Sequence, residues 1–325
     1  MTIEQIAAQL HISKSTVSKA LNNCPGVSVE TKSRIMELAE ELGYHTVRKG
    51  TIGMIMPATP VRYYKSLMQA FGDQYVKERI SAYSCVYSAI DFSGENDPEV
   101  VRCIMDAVRN GASVLVVISQ DTENIRNALR RYTDTHLVLS VQEKIDMKNV
   151  FYIGEDSFTV GYDLGKQFIS AHPDDASIVA VEYIGSTNAR GRMQGFAQAL
   201  SEFGIKHIPR IQISVSGSAF PSILARELAR QKSLFNCVFT SANNALQVCS
   251  TIQKLKTGRT IHCVGFENAP TARMDAYNEI LKGIAFQNTQ DQVSQAVRVI
   301  NQYLQTGTFP EEKCLYTKLP ILISE

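Results

Sequence analysis

Between Ser13 and Asn22 the chain reads SKSTVSKALN, and in it Lys14, Ser15, Ser18, Lys19 and Asn22 fall at i, i+1, i+4, i+5 and i+8. On a helix those offsets form one stripe of hydrogen-bonding side chains with two cations and no acid, while Val17, Ala20 and Leu21 share the opposite face. Such a stripe suits the base edges and phosphates of a DNA groove. Other chemistry finds little support. The six histidines form no HExxH or i,i+4 pair and the seven cysteines no CxxC, so no metal site and no disulfide framework are expected, only buried reduced thiols. No GxGxxG follows the first strand, GYDLGKQ at 161–167 has the wrong spacing for a phosphate loop, and no GxSxG elbow occurs. Neither catalysis nor a cofactor is expected.

The elements that must hold the stripe are short. Thr2 to Gln5 fits a capping box opening a helix over 3–10, Ser13 caps a second over roughly 14–22, and Ser28 caps a third. Ile35, Leu38, Ala39 and Leu42 give that third helix its buried side before Gly43 stops it. From Thr51 onward short β-rich runs (TIGMIMP, AYSCVYSAI, SVLVVIS, THLVLSV, NVFYIG) alternate with helical stretches at 61–79, 97–110 and 123–132. A second such series runs from a helix over 157–171 to the strand GIAFQN, leaving a helix over 289–306 and a last strand, KLPILIS. The fold class is therefore α/β: a small all-α unit followed by two lobes, each a doubly wound parallel sheet with helices on both faces and a cleft between them. A chain of 325 residues is long enough for this at about 150 residues per domain. Its 44% hydrophobic and 20% charged residues exclude disorder, and no apolar run reaches the roughly 18 residues of a membrane span. With no basic leader at the start, a cytoplasmic location is expected.

The string TIEQIAAQLHISKSTVSKALNNCPGVSVETKSRIMELAEELGYH resembles the helix-turn-helix headpiece of the lac repressor/galactose repressor (LacI/GalR) family, nearly residue by residue. The rest looks like that family's effector-binding region, which is similar to periplasmic sugar-binding proteins. The resemblance implies a headpiece over 1–46, a short linker over 47–50, a first lobe over 51–155 with 287–312, and a second lobe over 156–286 with 313–325. It implies base reading by Lys14, Ser15 and Lys19, the last an arginine in most relatives, and phosphate or capping contacts by Thr16, Ser18, Asn22, Ser28, Thr31 and Tyr44. It further implies a homodimer on a pseudo-palindromic operator, a repressor role, and control by a small polar effector, with a sugar or polyol leading. One departure concerns the linker. The family's hinge helix, with its minor-groove leucine, has no room in the six residues HTVRKG after Tyr44. Either the operator kink is absent or Val47, with Arg48 and Lys49 on phosphates, takes a reduced part.

On the effector side GSTNARGRMQGF resembles the family's arginine motif and points to Arg192, with Arg190 in support. Glu155-Asp156 with Gly161 looks like the crossover motif, Asp156 acting mainly as a helix cap. Glu267 stands in place of the family's aspartate in VGFEN, Asn243 in place of another, and Gln287 falls at the return crossover. Tyr63, Tyr64 and Phe220 sit where loops at strand ends can stack on a sugar face, core or rim packing being the alternative for each. Two rivals stay open: a solute-binding or sensor protein of the same fold without a kinking hinge, and an enzyme on a doubly wound sheet.

Overall fold

A computed structural model describes residues 3–21, 26–41, 50–58, 62–78, 80–88, 94–213, 219–231, 235–255, 258–268 and 274–324. Three helices open the chain: α1 (Ile3–Leu10), α2 (Lys14–Leu21) and α3 (Val29–Glu41). Their inward residues Ile6, Ala7, Val17, Ala20, Leu21, Ile35 and Ala39 make one small core, as the helical spacing requires. His11 turns the chain between α1 and α2 with a left-handed backbone, φ 55°. Thr2, Leu42, Gly43 and the linker residues Val47, Arg48 and Lys49 lie outside the described residues.

Among the described residues twelve strands form two sheets. The first lobe is built from β1 (Thr51–Pro57), α4 (Arg62–Glu78), β2 (Ser81–Tyr87), α5 (Asp97–Arg109), β3 (Ala112–Val117), α6 (Glu123–Leu129), β4 (Leu137–Val141) and β5 (Val150–Gly154). The second takes α7 (Ser157–Ala171), β6 (Ile178–Tyr183), α8 (Thr187–Glu202), β7 (Arg210–Ile213), α9 (Phe220–Arg230), β8 (Cys237–Asn243), α10 (Ala245–Lys254), β9 (His262–Glu267) and β10 (Leu281–Phe286). The chain then returns through α11 (Thr289–Thr306) and β11 (Cys314–Tyr316) and ends in β12 (Ile321–Ile323). Strand orders are β11-β5-β4-β3-β1-β2 and β12-β10-β9-β8-β6-β7. Inner strands such as β4, β5 and β6 are buried along their whole length, which is why they read as nearly continuous apolar runs, interrupted only by Ser140 and Glu182. The edge strand β7 alternates exposed and buried residues instead.

The last crossing differs from expectation. Residues 313–325 were assigned wholly to the second lobe, yet β11 pairs parallel with β5, Cys314 opposite Tyr152, and the chain crosses only after Tyr316. The physical reason is the open edge of β5: three residues close it, too few to leave a periodic signal. β12 then lies antiparallel to β10, so the second sheet is not wholly parallel.

Helices α7 and α8 approach to backbone contact. A Cβ on Gly161 would meet the Arg192 carbonyl and lie 2.7 Å from the Arg192 Cα; one on Gly195 would meet the Phe158 carbonyl and lie 2.7 Å from the Tyr162 nitrogen. On Gly191 it would lie 2.8 Å from the Ser157 Cβ. Glycine at 161, 165, 191 and 195, four apart on each helix, thus locks α8 to the helix that starts at the first lobe crossover.

Candidate functional site

On α2 the residues Lys14, Ser15 and Lys19 are exposed, and Thr16 and Ser18 half-buried. Lys14 Nζ donates to Glu4 Oε1 of α1 at 2.8 Å, an exposed pair that a phosphate can readily displace. Ser13 caps the helix, its Oγ accepting from the Thr16 nitrogen at 3.0 Å and contacting Ser15 Oγ and Thr16 Oγ1 at 2.8 Å. Ser28 caps α3 in the same way, accepting from the Thr31 nitrogen at 3.2 Å, with its hydroxyl on Thr31 Oγ1. Ser28 is thus a helix cap, Thr16 and Thr31 are the residues whose nitrogens the caps Ser13 and Ser28 accept from, and Lys14, Ser15 and Lys19 are exposed on α2. Asn22 and Tyr44 lie outside the described residues.

Where the lobes meet, a buried chain of hydrogen bonds joins residues from five elements. Tyr63 of α4 donates to Gln292 Oε1 of α11 at 2.7 Å, and Gln292 Nε2 donates to Gln287 Oε1 at 3.0 Å. Gln287 Nε2 in turn donates to Glu155 Oε2 at 2.7 Å. From the other lobe Arg192 sends Nε and Nη2 to the two oxygens of Glu155, the second at 2.7 Å. Its Nη1 reaches the Ser241 carbonyl and Asn243 Oδ1, each at 2.9 Å, and its guanidinium lies 4.1 Å from the ring centre of Phe266. The donors of Tyr63, Gln292 and Gln287 run toward Glu155, as do Nε and Nη2 of Arg192, so this carboxylate just after β5 takes bonds from both lobes.

A second bridge lies beside it. Gln142, just after β4, has a left-handed backbone (φ 72°) and accepts from Asn188 Nδ2 through its carbonyl. Glu143 then accepts from the hydroxyls of Ser186 and Thr187, at 2.9 and 3.1 Å, at the start of α8. A carboxylate there also faces the positive end of the helix. Burial, its largest influence, lifts the Glu143 carboxyl above the ordinary carboxylate range, against the hydrogen bond from Ser186 and the attraction of Arg192. A raised acid adds stability that is complete below the ordinary value of 4.5 and lost as pH rises through the shifted value. Glu143→Gln is therefore expected to melt higher than the parent at about pH 8 and to lose that advantage by about pH 4.5. Thermal melts of both across that range check this; a constant difference refutes it.

Other expected residues are placed differently. Asp156 caps α7, accepting from the Thr159 nitrogen at 3.1 Å. Glu267 accepts from the backbone nitrogens of Asn268 at 2.9 Å and Leu246 at 3.4 Å, which makes it a terminal anion for α10; burial raises its carboxyl too. Phe220 is fully buried and stacks on Tyr183 with ring centres 5.8 Å apart, so in this conformation it serves the second lobe's core rather than a ligand face. Tyr64, half-buried, meets Tyr63 edge to face at 5.3 Å. Arg190 is exposed. Gln142, Glu143, Ser186, Thr187, Asn188, Ser241 and Gln292 went unnamed in the sequence, although Gln142 and Glu143 directly follow a strand that ends at the cleft. A groove of about 460 Å³ between α5 and α6, lined by Asp97, Val101, Met105, Asn124 and Arg131 among others, takes in none of these residues. Among the described residues no group of three or more His, Cys, Asp or Glu is placed to hold a metal.

Residues 2–46 match the model for bacterial regulatory proteins of the lacI family, and residues 52–308 match the periplasmic binding protein domain. The chain belongs to the periplasmic binding protein domain family and carries a lacI-type headpiece. The chain is similar to the HTH-type transcriptional repressor PurR of Pasteurella multocida, 25% identical over 219 residues, 64% of this chain and 63% of the relative. The regulator RegA of Clostridium saccharobutylicum is 23% identical over 220 residues, 65% of this chain and 64% of its own. The match thus spans less than two thirds of these relatives' length. Among solved structures, a Caulobacter myo-inositol binding protein with myo-inositol superposes with TM-score 0.72 at 17% identity, covering 85% of this chain and 94% of that one. A periplasmic solute binding protein of Actinobacillus succinogenes with D-allose gives 0.71 at 15%, covering 85% and 97%. These likenesses establish the two-lobed fold. No helix among the described residues is long and apolar enough to cross a membrane.

Proposed function

We propose that the chain is a sequence-specific DNA-binding transcription regulator, acting as a repressor, whose operator affinity is set by a small polar effector closing the two lobes. The observation that carries this reading is one chain joining a lacI-type headpiece, its Lys14, Ser15 and Lys19 face open, to a two-lobed domain whose halves share a buried polar network. A sugar or polyol is the effector class favoured by the Phe266 ring and the polar partners around Arg192 and by sugar-bound proteins of the same fold. Since one headpiece grips weakly, a homodimer on a pseudo-palindromic site in the cytoplasm completes the proposal, and no catalytic role belongs to it. An effector that favours one lobe arrangement by about 1–3 kcal/mol shifts operator binding about 5–150-fold.

The test is selection of the bound sequence from random duplexes by the full chain, followed by titration of the enriched site with Lys14→Ala and Lys19→Ala. A base-reading lysine is expected to cost about 1–3 kcal/mol and to relax preference at one position, whereas a phosphate contact weakens all sequences alike. Enrichment of no palindrome, or full affinity in both variants, refutes the reading.

A further inference from the structure

The charges where the lobes meet do not balance. Glu143 and Glu155 are both buried, with 5% and 2% of their surface exposed, and Arg192, at 2%, is the one cation in the hydrogen-bonded network among the described residues. That cation is already spent. Four of its five N–H donors have acceptors, two of them on Glu155, and Phe266 covers a face. A bound anion would therefore find no free positive charge and two carboxylates in a poorly screened setting.

A second observation concerns hydrogen bonds. Gln142, with 9% of its surface exposed, leaves its side-chain oxygen buried without a partner, and burial of such an acceptor is costly. Its amide lies beside Tyr64, and its backbone carbonyl is the one gripped by Asn188, so the orphan acceptor stands at the same seam as Glu143. The seam thus presents an unused acceptor beside a buried carboxylate.

Resting on the reading of the cleft as the effector site, we propose that it takes an uncharged or amine-bearing polyhydroxylated molecule and rejects anions, and that Glu143 makes that selection. The ligand's hydroxyl or ammonium donors meet Glu143 and Gln142 Oε1 as those of Ser186 and Thr187 meet Glu143 now. Arg192 stays paired with Glu155 and acts as a fixed wall.

The experiment is isothermal titration of the full chain at pH 8 with glucose, galactose and mannose, each beside its 2-amino form and its uronic acid, and with ribose and myo-inositol. In any skeleton that binds, the uronic acid is expected to bind at least about tenfold more weakly than the neutral or amino form, a ratio equal to about 1.4 kcal/mol. Glu143→Gln is expected to shrink the ratio to less than about threefold, and the parent ratio alone decides if that variant does not fold. A uronic acid as tight as its neutral parent, an unchanged ratio in Glu143→Gln, or no binding by any neutral or amino member overturns the proposal. An acid that binds and needs Arg192 overturns the charge selection but keeps the cleft as effector site; silence from every compound removes both, with operator binding measured on the same preparation as the separate check on the headpiece.

Discussion

Gly195→Ala is expected to lower stability by about 3 kcal/mol, a fall in melting temperature of roughly 5–10 °C. The new methyl would meet the Phe158 carbonyl and the Tyr162 nitrogen, both backbone atoms of α7, so no side-chain rotation relieves it. The two helices must part, and each then loses packing along a contact made through Gly161, Gly165 and Gly191 as well. Because α8 carries Arg192 and begins at the residues that grip Glu143, separation also displaces both bridges between the lobes. Gly72→Ala supplies the contrast: Gly72 lies within α4, a Cβ there meets nothing within 4 Å, and alanine is the better helix former, so stability is expected to rise by about 0.5–1 kcal/mol. Thermal melts of the two variants read the difference, and a Gly195→Ala chain that melts with the parent would show that the helices are not in backbone contact.

What could be read beforehand follows the range of the interactions. The headpiece was legible because capping serines and apolar residues three and four apart are local signals, and Ser13, Ser28, Ile35 and Ala39 do what their spacing says. The inner strands were legible because a sheet covered on both faces demands nearly continuous apolar runs. The edge strand β11 was not: it is three residues long and exists because β5 offered unpaired backbone groups. In the site Arg192, Asn243 and Gln287 were visible one at a time, but their joining through Glu155 depends on where two lobes and three crossings bring strand ends. Gln292 is a polar residue inside an amphipathic helix, and only the fold shows it fully buried between Tyr63 and Gln287. Phe220 stayed open between ligand face and core for the converse reason, since an aromatic beside a loop and one in a core have the same neighbours in sequence.

Arg192→Met is expected to cost about 3–5 kcal/mol, although methionine fills much of the same space, because it strands Glu155 as a buried charge without its partner. Gln287 and Ser157, at 2.7 and 3.0 Å, still donate to Glu155 but bring no positive charge. If that stranded charge is the main loss, removing it must return most of the stability. Glu155→Gln in the same chain is neutral, keeps an oxygen acceptor for Gln287 and turns an N–H toward Ser157, whose hydroxyl can accept it, so the double variant should recover about 1–3 kcal/mol relative to Arg192→Met alone. Equilibrium denaturation of the parent, both single variants and the double variant closes the cycle. Additive losses would mean that Arg192 holds the lobes through Ser241, Asn243 and the ring of Phe266 rather than through Glu155. Coupling of the expected size would instead make the Glu155 carboxylate the point where the first crossover, the return crossover and α8 are held together. An effector that moves any one of the three then has to break or remake bonds to the same two oxygen atoms, and this is how a change in the cleft reaches both lobes at once.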